Sequence, residues 1–158
     1  MTSPAHPRVA TVARLLTEAG GSGDVRMLPA EVRTAAAAAA ALDVPVGAIV
    51  NSLVFEAAGS PVLILTSGAH RVDESKVAAL LGVPSVSPGR PDFVREHTWQ
   101  AIGGVAPLGH PKPIRTLVDT ALDGYDEIWA AGGVPRSVFP TTFAELVRIT
   151  AGTPTEVA

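Results

Sequence analysis

Two stretches of this chain carry groups that could act on a small ligand. They are Asn51, at the head of an aliphatic run, and the segment Gly103-Gly104-Val105-Ala106-Pro107. In a strand, period-two alternation puts Asn51 on one face with Leu53 and Phe55, and Val50, Ser52 and Val54 on the other. An amide that opens an apolar row needs partners, so Asn51 is either a satisfied structural group or a pocket residue that meets a ligand. Paired glycines followed by proline can turn successive main-chain N–H groups into a concavity suited to an anion or a developing carbonyl oxyanion. The same residues also make ordinary tight turns. Nearest to this loop in sequence are His110, which can titrate near neutrality, and Lys112; His70, Arg115 and Arg136 are further cations that could serve a pocket.

Composition narrows the chemistry. The chain has no cysteine, which removes thiol nucleophiles, disulfides and thiolate-bound metals together and gives no reason to expect an oxidising compartment. Its four histidines are dispersed without an i, i+4 pair, so no zinc site is expected. Gly20-Gly21-Ser22-Gly23 follows a helix and lacks the Lys-Ser/Thr of a phosphate-binding loop, and Ser67-Gly68 lacks the preceding glycine of a nucleophile elbow. A net charge of −3 argues against a broad duplex-binding face but permits contact with a few phosphates at a nucleic-acid end. No run is long and apolar enough for a membrane span and the N-terminus does not read as a leader, so a soluble, cytoplasmic protein is expected.

These groups need a scaffold, and 158 residues with 47% apolar content suffice for one α/β domain with one core, spanning 1–158. Val9, Val12, Ala13, Leu16 and Ala19 recur at helical spacing between Pro7 and Gly20. Asp24 to Leu28 reads as a short strand. Thr34 can cap a helix through the alanine run to Leu42, ended before Pro45. Ile49 to Ala57 and Val62 to Thr66 form an expected antiparallel hairpin joined by Ala58-Gly59-Ser60-Pro61. Asp73 caps a helix bearing Val77, Leu80 and Leu81 and stopped by Gly82, and Pro91 opens another through about His97. Residues 98–113 lack periodicity, as functional loops often do. Trp99 and Trp129 are expected to pack, with lining of the pocket the alternative for Trp99, which borders that loop. Ile114 to Asp119 and Glu127 to Ala131 read as strands, with a segment around Val138 pairing beside them after Gly132-Gly133. Thr142 and Glu145 make a capping box for a helix with Leu146, Val147 and Ile149.

Four stretches, in order, carry a resemblance to a known family: IVNSLVFEAAGSPVLILTSGAHRVDESKVAALLG, IGGVAPLGHPKPIRTLVDTAL, YDEIWAAGG and FPTTFAELVRITAG. Together they resemble the YbaK/EbsC family, also called the prolyl-tRNA editing or aminoacyl-tRNA deacylase domain. The resemblance implies a mixed α/β domain with a partly barrel-like sheet flanked by helices. It implies a trans-editing hydrolase that clears mischarged amino acids, such as Cys or Ala, from the CCA end of tRNA without metal or cofactor. Gly103 and Pro107 match the family's GXXXP element, whose backbone positions the substrate carbonyl. Members generally carry lysine in a VKTL-like motif where this chain reads VNSL, so Asn51 replaces it with a shorter, neutral donor. By this correspondence Asn51, Gly103 and Gly104 are the expected catalytic groups, and Ser52, Val105, Ala106, Pro107, His110 and Lys112 the expected substrate contacts. The alternatives are a module that retains the pocket and binds an aminoacyl-tRNA end or small ligand without turnover, and a domain that docks on a synthetase.

Overall fold

The computed structural model describes residues 7–21 and 23–158. Residues 1–6, part of the N-terminal segment read above as lacking a leader, and Ser22, of the glycine-rich turn, lie outside the described residues. In chain order the elements are α1 (Pro7–Glu18), β1 (Arg26–Met27), α2 (Ala35–Leu42), β2 (Val50–Ala57), β3 (Ser60–Ser67), α3 (Glu74–Leu81) and β4 (Val86–Pro88). There follow α4 (Pro91–Thr98), β5 (Arg115–Asp119), β6 (Ile128–Ala131), β7 (Ser137–Thr141), α5 (Phe143–Thr150) and β8 (Thr153–Thr155).

Local chemistry sets most boundaries. The side chains of Thr34, Asp73 and Thr142 each accept a main-chain N–H from the first turn of their helices, from Ala37, Lys76 and Glu145, which satisfies one otherwise orphaned donor apiece. Gly82 ends α3 in the left-handed region, and Pro91 sits at the first helical position of α4, where its missing N–H costs nothing. The Glu145 carboxylate accepts from Thr141 Oγ1 at 2.7 Å, bracing the start of α5.

The hairpin expected at the centre is there, with a tighter link than its sequence suggests. Ser60 and Pro61 belong to β3, and Ala58-Gly59 alone turn the chain, both at positive φ as a two-residue type I′ turn requires. Pro61 faces Glu56 at a position where the register asks for no N–H, so the strand tolerates it.

The mixed α/β architecture forms two sheets and does not close into a barrel. One sheet has strand order β4-β2-β3-β5-β8 and the other β1-β7-β6. A parallel bridge, Ile49 to Trp129, joins them. In the larger sheet β3 and β5 run parallel, and consecutive residues Leu63, Ile64 and Leu65 are wholly buried because helices and loops cover both faces. Val50, Val54, Leu63 and Leu65 face α1, α4 and the Val105-Ala106 segment; Phe55, Val62 and Ile64 face α3. Burial of each such side chain contributes about 1.5–3 kcal/mol. A smaller cluster under α2 contains Leu28, Val32, Ile49, Trp129 and Val138.

Two elements carry no sequence signal: β4 and β8 are three-residue strands fixed by pairing with β2 and β5. Two apolar residues depart from expectation. Leu80 is 55% exposed on the outer side of α3, and Trp99, a left-handed C-cap of α4, is 62% exposed.

Candidate functional site

The site is built along an uncovered edge. β4 pairs with β2 only at Phe55, Glu56 and Ala57, and β6 touches the strand before its start, at Ile49. Between these points no strand among the described residues covers β2. The two-residue turn fixes the register so that the main-chain groups of Val50, Ser52 and Val54 point away from β3. The Val54 carbonyl accepts from Gly89 N–H at 2.8 Å, while Ser52 keeps its main-chain groups on the open edge.

A cavity of about 350 Å³ lies along that edge, and all six residues from Val50 to Phe55 line it because an edge exposes both faces of a strand. Gly89, Val94, Ile102, Gly103 and Val105 also line it. Among the described residues no ionisable side chain lines it. A second cavity of about 440 Å³ lies toward α2 and the β6–β7 turn and shares Val50, Asn51, Gly103 and Ala131 with the first. Asn51 and Gly103 therefore stand at a neck between two chambers.

The structure brings Asn51, Ser52, Gly103 and Val105 together. Asn51 is half-buried and its amide makes no hydrogen bond among the described residues, which leaves both its donor and its acceptor for a ligand. Three buried polar atoms of residues along this strand and its partners also lack partners: Oγ of Ser52, next in sequence; Oγ1 of Thr66, paired with Asn51 across the hairpin; and Nε1 of Trp129, the bridge partner of Ile49. Orphaned buried groups cost about 1–3 kcal/mol each and are rare, so each calls for a reason other than stability.

The loop alternates in how its N–H groups are used. Gly104 N–H donates to the Ala101 carbonyl at 3.1 Å, and Ala106 N–H donates to Gln100 Oε1 at 2.6 Å. Pro107 has no N–H. The N–H groups of Gly103 and Val105 have no partner among the described residues, and these are the two residues of the five that line the first cavity. Gly103 has φ of 91°, which allows the main chain to turn there without a side-chain clash. Gly104 is required for a different reason: a Cβ would lie 2.2 Å from the Val134 carbonyl carbon, so the loop docks on the β6–β7 turn through glycine alone.

Gln100 is the residue that sequence reasoning missed. It is 4% exposed, its own N–H donates to Thr98 Oγ1 at 3.0 Å, and Thr98 in turn donates to the Val94 carbonyl at 2.7 Å. A lone glutamine in an aperiodic loop gives no signal beforehand. His110 Nε2 lies 2.8 Å from the Ala106 carbonyl, so both main-chain groups of Ala106 are pinned. Burial pushes the His110 imidazole below its ordinary range, opposed in part by that hydrogen bond. At neutral pH it is the neutral tautomer that donates from Nε2.

Other expected contacts lie elsewhere. Gly104, Ala106, Pro107, His110 and Lys112 are not on the wall of either cavity; the first four support the loop and Lys112 is exposed. Arg115 is exposed at the start of β5. His70 Nδ1 lies 2.9 Å from Asp119 Oδ2, a carboxyl that also accepts from the N–H groups of Ser67 and Ala121. Arg136 lines the second cavity with Arg33, which sequence reasoning had not singled out. Among the described residues no three His, Asp or Glu side chains meet as metal ligands. No helix among them is long and apolar enough to cross a membrane.

Comparison with known proteins bears on this geometry. The model of the aminoacyl-tRNA editing domain matches residues 29–149. The proline–tRNA ligase of Nitratidesulfovibrio vulgaris strain Hildenborough is 32% identical over 124 residues, a match that takes in 72% of this chain and 21% of the ligase. This chain thus spans about a fifth of that relative's length. The crystal structure of a candidate trans-editing enzyme for prolyl tRNA synthetase superposes with a TM-score of 0.92 at 41% identity, covering 98% of each chain. That of a hypothetical protein superposes with a TM-score of 0.84 at 28% identity, covering 93% of this chain and 98% of the other.

Proposed function

Because the chain belongs to the aminoacyl-tRNA editing domain family, we propose that it acts in trans as a deacylase that hydrolyses the ester of mischarged aminoacyl-tRNA. The observation that carries this reading is the pair of unpartnered N–H groups, of Gly103 and Val105, two residues that line the first cavity together with Asn51. The ester carbonyl oxygen sits against these donors, which stabilise the negative charge that develops on it as water attacks the carbonyl carbon. Removing one such donor typically costs about a hundred- to thousandfold in rate. The carbon–oxygen bond to the terminal ribose then breaks, the ribose oxygen takes up a proton, and free amino acid and a 3′-hydroxyl are released. Asn51 orients the water or the ribose through its amide.

With no ionisable side chain on the first cavity, the attacking water loses its proton to the substrate's own amino group or to solvent. The apolar lining from Val54, Val94, Ile102 and Val105 suits a small aminoacyl side chain of the Ala or Cys kind. The partner is the acceptor end of tRNA rather than its body, in keeping with a chain of net charge −3. Residues 1–158 act as one editing unit, in the cytoplasm where tRNA is charged. Release of amino acid from a panel of mischarged tRNAs tests this; no release at high enzyme concentration sinks it.

A second reading is favoured by the same neutral lining: a module that binds the aminoacyl end without turnover. Asn51→Lys separates the two. Hydrolysis gained only in that variant supports binding alone, and activity already present in the parent supports the deacylase.

A further inference from the structure

We infer that a third cavity, between α1 and the end of α4, is a binding site for a small carboxylate with an apolar body, and that its occupant steadies the glycine loop through Gln100. The cavity holds about 380 Å³ and shares no lining residue with the two along β2.

Gln100 is the group that points to a ligand. It is 4% exposed, and the Ala106 N–H, which can only donate, fixes Oε1 as the atom it meets and leaves Nε2 at the other end. Nε2 has no partner among the described residues. It is not one of the fully enclosed side-chain atoms that lack partners, so the cavity that Gln100 lines reaches it. Its place is beside two other lining residues: a Cβ added at Gly109 would lie 3.7 Å from Nε2 and 3.8 Å from Val12 Cγ2. A buried amide with free donors calls for an acceptor that the protein does not supply.

The rest of the wall selects the acceptor. Arg8 is the ionisable residue among the described lining residues, with no Asp or Glu beside it, and the first turn of α1 adds the positive end of its dipole. These favour an anion. Val12 and Pro7 are apolar, and Trp99 lines the cavity with 62% of its surface exposed and φ of 59°, a left-handed conformation unfavourable for a bulky residue. Packing does not account for an exposed ring held in this way, whereas a face for an apolar ligand body does.

Occupancy is felt at the loop, an effect that rests on the deacylase reading. An acceptor on Nε2 polarises the amide and strengthens its bond to Ala106, which holds the donors of Gly103 and Val105 in place.

The test titrates phenylacetate, neutral phenylacetamide and inorganic phosphate against two NMR signals. These are the indole N–H of Trp99, assigned by its loss in Trp99→Phe, and the side-chain amide of Gln100, assigned by its loss in Gln100→Glu. Phenylacetate shifts both, phenylacetamide binds about three- to tenfold more weakly, and phosphate, with nothing to lay on the indole, shifts neither. Gln100→Glu keeps an acceptor for Ala106 N–H but replaces the donor with oxygen, and it weakens phenylacetate about tenfold or more at the Trp99 signal. Trp99→Ala, at an exposed position, serves where the buried substitution lowers stability: it weakens phenylacetate about two- to tenfold at the Gln100 amide and leaves the basal rate of deacylation unchanged. Saturating phenylacetate raises the parent's deacylation rate about twofold or more, and Trp99→Ala needs proportionately more of it. Absence of both shifts, equal affinity for acid and amide, a response to phosphate alone, or indifference to both substitutions overturns the site. A rate unmoved at saturation overturns its effect on the loop. A chain that binds phenylacetate in this way but releases no amino acid from any mischarged tRNA keeps the site and loses the deacylase reading. One that deacylates but binds no phenylacetate does the reverse.

Discussion

Gln100 Oε1 accepts the Ala106 N–H at 2.6 Å, and this one side chain sets the curvature of the glycine loop from beneath it. The bond removes Ala106 from the set of free donors and leaves Gly103 and Val105 as the pair that lines the first cavity. A buried polar group thereby determines which backbone groups can touch substrate.

Replacing Gln100 with leucine leaves the buried Ala106 N–H without an acceptor, and stability falls by about 1–3 kcal/mol. Deacylation falls further than the unfolded fraction accounts for, because the loop donors move. Urea unfolding set beside the rate of ester hydrolysis measures both. Activity retained in full in the folded variant contradicts the role given to Gln100.

The two glycines respond differently to alanine. At Gly104 a Cβ meets the Val134–Pro135 peptide, and overpacking of this kind costs about 1–3 kcal/mol with displacement of the loop. At Gly103 nothing lies within 4 Å of the added carbon, so only the positive φ is penalised, by about 1–2 kcal/mol. Gly104→Ala is therefore the more damaging to activity. The reverse order in a paired kinetic comparison would show that the loop does not dock as described.

Protonation of His110 is resisted in the folded state because burial lowers its pKa. As pH falls through about 6.5 the unfolded chain takes up the proton first, which favours unfolding. Stability from this group is thus fully present above that pH and declines below it, until the folded imidazole also protonates. His110→Gln retains a donor for the Ala106 carbonyl without titrating. Its unfolding midpoint changes less than the parent's between pH 7.5 and the acid side of that window, and parallel profiles would remove His110 as the cause.

Asp119 tests the scaffold apart from the site. Its buried carboxyl accepts from Ser67 and Ala121 N–H groups, both at 3.0 Å, and Asp119→Ala orphans both at a cost of about 2–5 kcal/mol. The carboxyl lines neither cavity, so ester hydrolysis per folded molecule is unchanged. Calorimetry beside the rate of hydrolysis gives both numbers, and a loss of rate beyond the loss of folded chain would tie Asp119 to the site.

What could be read from sequence follows the range of the physics involved. Caps at Thr34, Asp73, Thr142 and Gly82 are decided within one helical turn, so residue types alone place them. The hairpin is equally local, although Ser60 and Pro61 look like turn residues until the register shows that Pro61 needs no N–H. β4 and β8 are decided by partners far along the chain and leave no periodicity in three residues. For the candidate site, sequence singled out Asn51 and the glycine loop, parts of which line one cavity, but not which N–H groups are free. That depends on the Ala101 carbonyl, which takes the Gly104 N–H, and on Gln100, whose burial no spacing announces. Nor did it find Arg33, which becomes part of a cavity only when α2 packs beside the β6–β7 turn. Leu53, 38% exposed inside an aliphatic strand, is the visible trace of the edge that β4 leaves open.

Release of amino acid from mischarged tRNA by the parent chain, by Asn51→Ala and by Gly104→Ala, under single-turnover conditions, tests the central claim most directly. The account predicts hydrolysis by the parent and a loss of about tenfold or more in each variant at unchanged fold, since one group orients the reactants and the other seats the oxyanion donors. Hydrolysis of no aminoacyl ester by the parent, or rates indifferent to both substitutions, contradicts it.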